Sequence, residues 1–333
     1  MLSGGFLTFS ESAIQGWKVY GDADRMSVVT GCSRRSTGHY PGYTRMNTKT
    51  LRLILLKRDS SERIERAASE LAGFLHSHPD VELLTEAVIE ELDPRTLDGS
   101  EVAVVLGGDG AIIRACRQFA QRQTPIIGIN LGRLGFLADL TPDQFRTRFE
   151  EIRTGKFDVV EHLMFQCTMT RPNGESECWL GVNEVAVSAE ATLQMIEVAM
   201  SIDGAPVTTY SCDGLIVGTP VGSTAHSLSA GGPAVRQDLP VVVVTPICPH
   251  TLSNRALVDG ANRRYQLELP SARTEVVLVI DGQIRVPFHV GDRVDFEKAD
   301  VTFKLVRLAG HNYYSVLEKK LGWSGQPRYS ADD

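Results

Sequence analysis

Three clusters of small and polar residues bring together groups that could do chemistry. Gly107-Gly108-Asp109-Gly110 follows the apolar run Val102–Leu106 and leads into Ile112, Ala115, Cys116 and Phe119, which repeat at helical spacing. A strand that delivers an Asp through a glycine turn to a helix N-terminus suits a phosphate-bearing ligand. Glycine allows close backbone approach, and the exposed N–H groups attract anions. A tight strand–helix connection with a solvated Asp would show the same pattern. Asn183-Glu184 interrupts the strand-like segment CWLGVNEVAVS. Two adjacent polar residues in one strand point to opposite faces, so one lines a cleft unless the strand is a solvated edge. Ser211–Pro233 holds five glycines, six hydroxyl residues and one carboxylate, Asp213, in 23 positions. That density suits a polar ligand with phosphates and ribose, or else a loop-rich crossover.

The elements that must position these clusters follow from pattern. The chain has 333 residues, enough for about two domains. It is 42% hydrophobic and 23% charged, the balance of a soluble globular enzyme. Its formal charge of −7 argues against a broad nucleic-acid or anionic-membrane surface. No apolar run approaches the roughly 18 residues of a membrane span. The six cysteines show no metal or CxxC spacing and read as reduced thiols in a cytoplasmic protein.

Residues 1–45 show no sustained periodicity and no signal-peptide core, and read as a disordered extension or a start assigned too early, with Met46 before the first strand. Leu51–Leu56 is a strand, Asp59 and Glu62 are spaced as a capping pair, and Ile64, Ala67, Ala68, Leu71 and Phe74/Leu75 form a helical stripe. Residues 77–100 read as an acidic connection around a short Ala87–Ile89 segment. Val102–Leu106 with its helix, and Pro125–Ile129 ending in Asn130, complete a β-α-β-α-β alternation. This predicts a Rossmann-like α/β domain with a parallel sheet over 46–150, whose ligands sit beyond the strands' carboxyl ends. Gly132 and Gly135 place Phe136 either against a flat ligand or as a plug under its loop. Phe145, Phe149 and Ile152 mark a helix. From about 158 the period becomes two, with Asp203-Gly204 and Asp281-Gly282 as hairpin turns, giving an all-β, sandwich-like domain over 151–306. One helix interrupts it at Ser223–Gly231. Tyr314, Leu317 and Leu321 predict a helix capped by Gly322, a segment over 307–323 that returns to the first domain, and 324–333 is a tail.

Taken together, the motifs resemble the ATP- or polyphosphate-dependent NAD kinases. GGDG is Gly107–Gly110, the N-x-G-x-LGF segment is Asn130–Phe136, and NE is Asn183-Glu184. The long glycine-rich block is Asp213–Pro233, its follow-on Thr245–Arg255, DGQ is Asp281–Gln283, and the closing KKLGW pattern ends at Trp323. The resemblance covers about residues 50–323.

It implies phosphorylation of the adenosine 2′-hydroxyl of NAD or NADH by ATP or polyphosphate, with Mg²⁺ or another divalent cation. The dinucleotide would bind between domains, in a homodimer or homotetramer. Asp109 would orient the hydroxyl and accept its proton. The Gly107, Gly108 and Gly110 turn and Arg114 would meet phosphates, unless Arg114 is a solvated helix residue. Asn183 would read the adenine edge, Glu184 the ribose hydroxyls and Asp213 the nicotinamide end. Phe136 would lie by the adenine. Thr224, Ala225, His226, Ser227, Leu228 and Ser229 would line the pocket, and Gln283 would close it. Because Mg²⁺ takes few protein ligands, no dedicated metal cage is expected.

Three residues depart from the family pattern: Ala111 stands where a Thr is typical, Val221 replaces a hydroxyl residue, and His226 replaces a Tyr. They motivate one alternative, a weak or inactive dinucleotide-binding regulator. A lipid or sugar kinase sharing GGDG is another, which leaves Asn183-Glu184 and the 211–233 block unexplained.

Overall fold

The computed structural model describes residues 50–132, 135–190, 194–251 and 254–322. The readings of residues 1–45, of Trp323 and of 324–333 lie outside these. The first half holds β1 (Leu51–Lys57), α1 (Glu62–His76), β2 (Val81–Val88), β3 (Val102–Leu106), α2 (Asp109–Phe119), β4 (Ile126–Ile129), α3 (Pro142–Thr147) and α4 (Phe149–Arg153). Strands β2-β1-β3-β4 run side by side and parallel. Both faces are covered. Ile54, Leu56, Ala103 and Val105 pack with Ile112, Cys116 and Phe119 of α2. Leu53, Leu55, Val104 and Leu106 pack with Leu71 and Leu75 of α1 and with Phe145 and Phe149. Two buried faces require apolar residues at nearly every position, which is why β3 is an unbroken run and β1 is apolar throughout Leu53–Leu56.

Three local expectations change. Asp59 and Glu62 do not cap α1. Ser61 is its N-cap residue, and Asp59 instead accepts the Ser61 N–H at 3.0 Å. Residues 77–100 contain a full edge strand, β2, whose half-exposed VELLTEAV lacks the signature of a buried strand. The segment 223–231 is a 3₁₀ turn, Gly222–Thr224, followed by a single helical turn, α5 (His226–Ser229).

The second half is built of strands. In order they are β5 (Phe157–Thr170), β6 (Ser176–Gly181), β7 (Glu184–Ala189), β8 (Ile196–Ile202), β9 (Ala205–Cys212), β10 (Gly214–Gly218), β11 (Val241–Ile247), β12 (Leu257–Gly260), β13 (Tyr265–Glu268), β14 (Val276–Ile280), β15 (Ile284–Phe288) and β16 (Arg293–Leu308). α6 (Tyr313–Leu321) closes the described chain, with Gly322 in the left-handed region (φ 66°) as its cap. One sheet runs β12-β11-β10-β7-β14-β15. The other joins the first half through β16, which pairs parallel to β4 and antiparallel to β5 and β13. The two sheets enclose one apolar core, with Phe165, Tyr265, Phe288 and Phe296 fully buried in it. Asp203-Gly204 form the two-residue turn of the β8–β9 hairpin, and Asp281-Gly282 open the three-residue turn of the β14–β15 hairpin that Gln283 completes; all four Asp and Gly residues are at positive φ.

Candidate active site

Asp109 opens α2 at the carboxyl end of β3, and a loop that follows β4 cradles its side chain. Oδ2 accepts the Phe136 N–H at 2.8 Å. Oδ1 accepts those of Leu137 and Ala138, each at 3.0 Å. Gly135 packs directly on this carboxylate, and a Cβ at that position would overlap Oδ1. A carboxylate offers about four lone-pair sites. With two donors on Oδ1 and one on Oδ2, Oδ2 is the oxygen free to take a proton.

The cradle has a buried support that sequence reading did not single out. Arg307, near the end of β16, donates to the Phe136 carbonyl at 2.9 Å and to Asp139 at 2.7 Å, and reaches the Leu137 carbonyl at 3.5 Å. His311 lies 3.3 Å from Asp139. Burial pushes the Arg307 pKa down, and Asp139 opposes that. The signal lay in period two: Arg307 follows Phe303 and Leu305 on one core-facing side of the strand.

Asp109, Gly107 and Gly108 line a cavity of about 300 Å³, with Asn130 and three cations, Arg58, Arg63 and Lys320. Arg63 donates to the Leu131 carbonyl. The Lys320 ammonium lies 5.5 Å from the centre of the half-buried Phe136 ring. Asp109 is the only carboxylate among the described lining residues. Arg114 is not among them: it pairs with Glu90 at 2.6 Å. Of the two readings open for Phe136, the plug under the loop is filled by its buried neighbours Leu137 and Ala138, and Phe136 itself is half-buried.

Asn183-Glu184 does not interrupt one continuous strand. β6 ends at Gly181 in one sheet, β7 begins at Glu184 in the other, and Asn183 sits half-buried at the crossing. Asp281, in the β14–β15 turn, holds that crossing. Its carboxylate accepts the N–H groups of Val182 at 3.0 Å, Asn183 at 2.7 Å and Glu184 at 3.2 Å. Arg117 of α2 pairs with Asp281 at 3.3 Å and donates to the Gln283 side chain, which donates to the Gly110 carbonyl at 3.1 Å. The glycine turn and the NE segment are thereby brought together through Gln283 and Arg117. Burial raises the Asp281 pKa, against the pull of Arg117 and the three N–H groups. Glu184 is buried, and its Oε2 has no hydrogen-bond partner among the described residues. Burial, together with the neighbouring Asp281 charge, pushes Glu184 up to about 8.

The third cluster wraps the same crossing. Thr219 donates its hydroxyl to the Val182 carbonyl at 2.6 Å and its N–H to the Asn183 carbonyl at 2.8 Å. Gly222 faces that Asn183 carbonyl so closely that a Cβ would overlap it. Thr224, Ala225 and Leu228 are half-buried, and His226 and Ser229 are exposed. The Ser227 hydroxyl is buried on that of Thr245 at 2.8 Å. Ala111 and Val221 are both buried in the cluster that includes Val182. Asp213 stands apart. Gly218 pairs with Glu184 and Gly214 with Ser188, so Asp213 and Asn183 lie beyond opposite ends of this strand pair. At about 3.3 Å per residue, that separates them by roughly 20 Å. Asp213 instead meets His250 at 3.3 Å.

The chain resembles known proteins over most of its length. Residues 49–157 match the family model of the ATP-NAD kinase N-terminal domain, and residues 182–308 that of the ATP-NAD kinase C-terminal domain. The chain is 37% identical over 275 residues to the NAD kinase of Rhodopirellula baltica, covering 83% of this chain and 88% of that one. It is 38% identical over 271 residues to that of Geobacter sulfurreducens, covering 78% and 94%. Among solved structures, an Archaeoglobus fulgidus NAD kinase in complex with ATP aligns with a TM-score of 0.63 at 27% identity, over 83% of this chain and all of that one (100%). The fold is also that of yeast NADH kinase complexed with NADH, at a TM-score of 0.77, 21% identity and coverage of 85% and 91%. The chain belongs to the NAD kinase family.

Proposed function

We propose that this chain transfers the terminal phosphoryl group of ATP to the adenosine 2′-hydroxyl of NAD. The observation that carries the proposal is the setting of Asp109. Its carboxylate is fixed by three N–H groups and borders a cavity that holds a glycine turn and three cations. Phosphoryl transfer depends on alignment and charge stabilisation more than on covalent help. Asp109 Oδ2 takes the hydroxyl proton. Arg58, Arg63, Lys320 and the N–H groups of the glycine turn neutralise the donor phosphates, the role expected of Arg114.

On the other side of α2, Asn183 reads the adenine edge and Glu184 the ribose hydroxyls. Phe136 lies by the adenine, and Gln283 closes the pocket. Thr224, Ala225, His226, Leu228 and Ser229 line the remainder, and Ser227 contributes through its backbone. Asp213, remote from Asn183, serves the nicotinamide end of the dinucleotide, and the chain works as a homodimer or homotetramer. Cys116, Cys167, Cys212 and Cys248 are free thiols, which supports a reducing cytoplasmic location.

A divalent cation fits the donor site. The described residues include no group of three or more His, Cys, Asp or Glu side chains that could hold a metal. Donor oxygens and water would fill its shell, as Mg²⁺ prefers, with Asp109 reaching it through water. Such an ion supplies charge stabilisation to the transferring phosphoryl group.

The burial of Ala111 and Val221 bears on the inactive alternative. Both pack in the core rather than line the cavity, so neither withdraws a hydroxyl from it. A coupled assay with NAD or NADH, and with ATP or polyphosphate, tests the proposal. Formation of NADP(H) is expected. Binding of the dinucleotide without turnover would contradict it, and so would phosphorylation of diacylglycerol or fructose 6-phosphate but not of NAD.

A further inference from the structure

We propose that Arg307 is a positioning residue for Asp109, acting through two peptide planes; this rests on the reading of Asp109 as the base. The N–H of Leu137 belongs to the same peptide unit as the Phe136 carbonyl, and the N–H of Ala138 to the same unit as the Leu137 carbonyl. A trans peptide is planar, so its N–H and C=O point in opposite directions. Asp109 Oδ1 accepts the N–H ends of both units at 3.0 Å. Arg307 grips the oxygen end of the first at 2.9 Å and reaches that of the second at 3.5 Å. Asp109 and Arg307 therefore hold opposite edges of the same two plates.

Asp139, 2.7 Å from Arg307, balances the buried guanidinium and fixes its fork. The loop's own bonds (Gly135 N–H to the Ala138 carbonyl at 3.0 Å, Asn130 N–H to the Leu140 carbonyl at 2.7 Å) leave the Phe136 and Leu137 oxygens to Arg307. Without it those carbonyls lose their buried donor and the plates are free to turn. Oδ1 then loses its anchors, and the carboxylate no longer presents Oδ2 in one orientation. β16, which carries Arg307, is also the strand that joins the two halves of the chain.

Arg307→Lys isolates this role. Lysine keeps the charge against Asp139 but cannot span two carbonyls. Misplacing a catalytic group by about 1 Å costs about 100-fold. Arg307→Lys is therefore expected to lower kcat about 10- to 100-fold, with KM for NAD changed less than about threefold. In an Asp109→Asn background the same substitution should cost nothing further, because its only route to turnover is gone. Arg307→Met, with thermal unfolding as a fold control, should lower kcat at least as far. A kcat for Arg307→Lys within twofold of the parent would overturn the inference, as would losses that multiply in the double variant. Undiminished turnover in Asp109→Asn alone would remove the base itself, a separate and distinguishable failure.

Discussion

The Asp281 carboxylate accepts the Asn183 N–H at 2.7 Å across 98 residues of sequence. That bond, with those to Val182 and Glu184, turns the chain from one sheet into the other. Asp281 is also paired with Arg117, so a residue in a hairpin turn couples α2 to the NE segment. Removing one partner of a buried ion pair typically costs about 3–5 kcal/mol. Asp281→Ala is expected to lose stability of that order in urea unfolding and to weaken NAD binding by at least about tenfold. A stable variant with parental affinity would show that the crossing holds itself.

Glu184 gives the protein a pH signature. Its folded pKa of about 8 lies above the ordinary glutamate value of 4.5, so the folded chain holds a proton that the unfolded chain releases. The stability this contributes is fully present below about pH 4.5 and is lost as pH rises through about 8. Glu184→Gln stays neutral throughout. Across that window the parent should lose stability relative to Glu184→Gln by on the order of a few kcal/mol, read from thermal unfolding at several pH values. Parallel stability curves would mean that Glu184 is ionised in the folded protein.

Gly135 is the only residue type that fits against Asp109. Gly135→Ala would push a methyl group into Oδ1, so Asp109 must leave its cradle or the loop must shift. We expect kcat to fall about 100-fold, the scale of a misplaced catalytic group, with the fold retained by circular dichroism. Parental kcat in this variant would show that the cradled position of Asp109 is not the reacting one.

The cations of the cavity should separate donor from acceptor. Lys320→Ala and Arg63→Ala are predicted to raise KM for ATP several-fold while calorimetric NAD affinity changes less than about twofold. The donor KM should also rise with ionic strength in the parent, more than in either variant, because exposed charges are screened. An unchanged KM for ATP would place the donor phosphates elsewhere.

How far the sequence foretells this structure depends on what fixes each element. β1, β3 and β4 are legible because burial on both faces makes β3 and β4 apolar throughout and β1 apolar over Leu53–Leu56. The two hairpins are legible because Asp203-Gly204 and Asp281-Gly282 carry their turn in their own residues. β2 is not, since an edge strand with a half-exposed VELLTEAV needs no continuous apolar run. The break at Asn183 is not, since its cause, Asp281, is remote in sequence. Asp109, Asn183 and Glu184 are marked by local motifs. Arg58 with Arg63, Arg307, and Lys320 come from three separate stretches, and only the folded chain brings them near Asp109. The 211–233 block shows its glycine density in sequence, yet not that Ser227 spends its hydroxyl on Thr245 while Thr219 locks the NE segment.

The most direct test of the account is Asp109→Asn, assayed for NADP formation from NAD, ATP and Mg²⁺, with NAD affinity measured by calorimetry on the same preparation. A general base contributes about 10²–10⁴-fold. The account predicts a kcat loss in that range with NAD affinity within about threefold of the parent. Turnover within tenfold of the parent, in a variant that binds NAD normally, would contradict it.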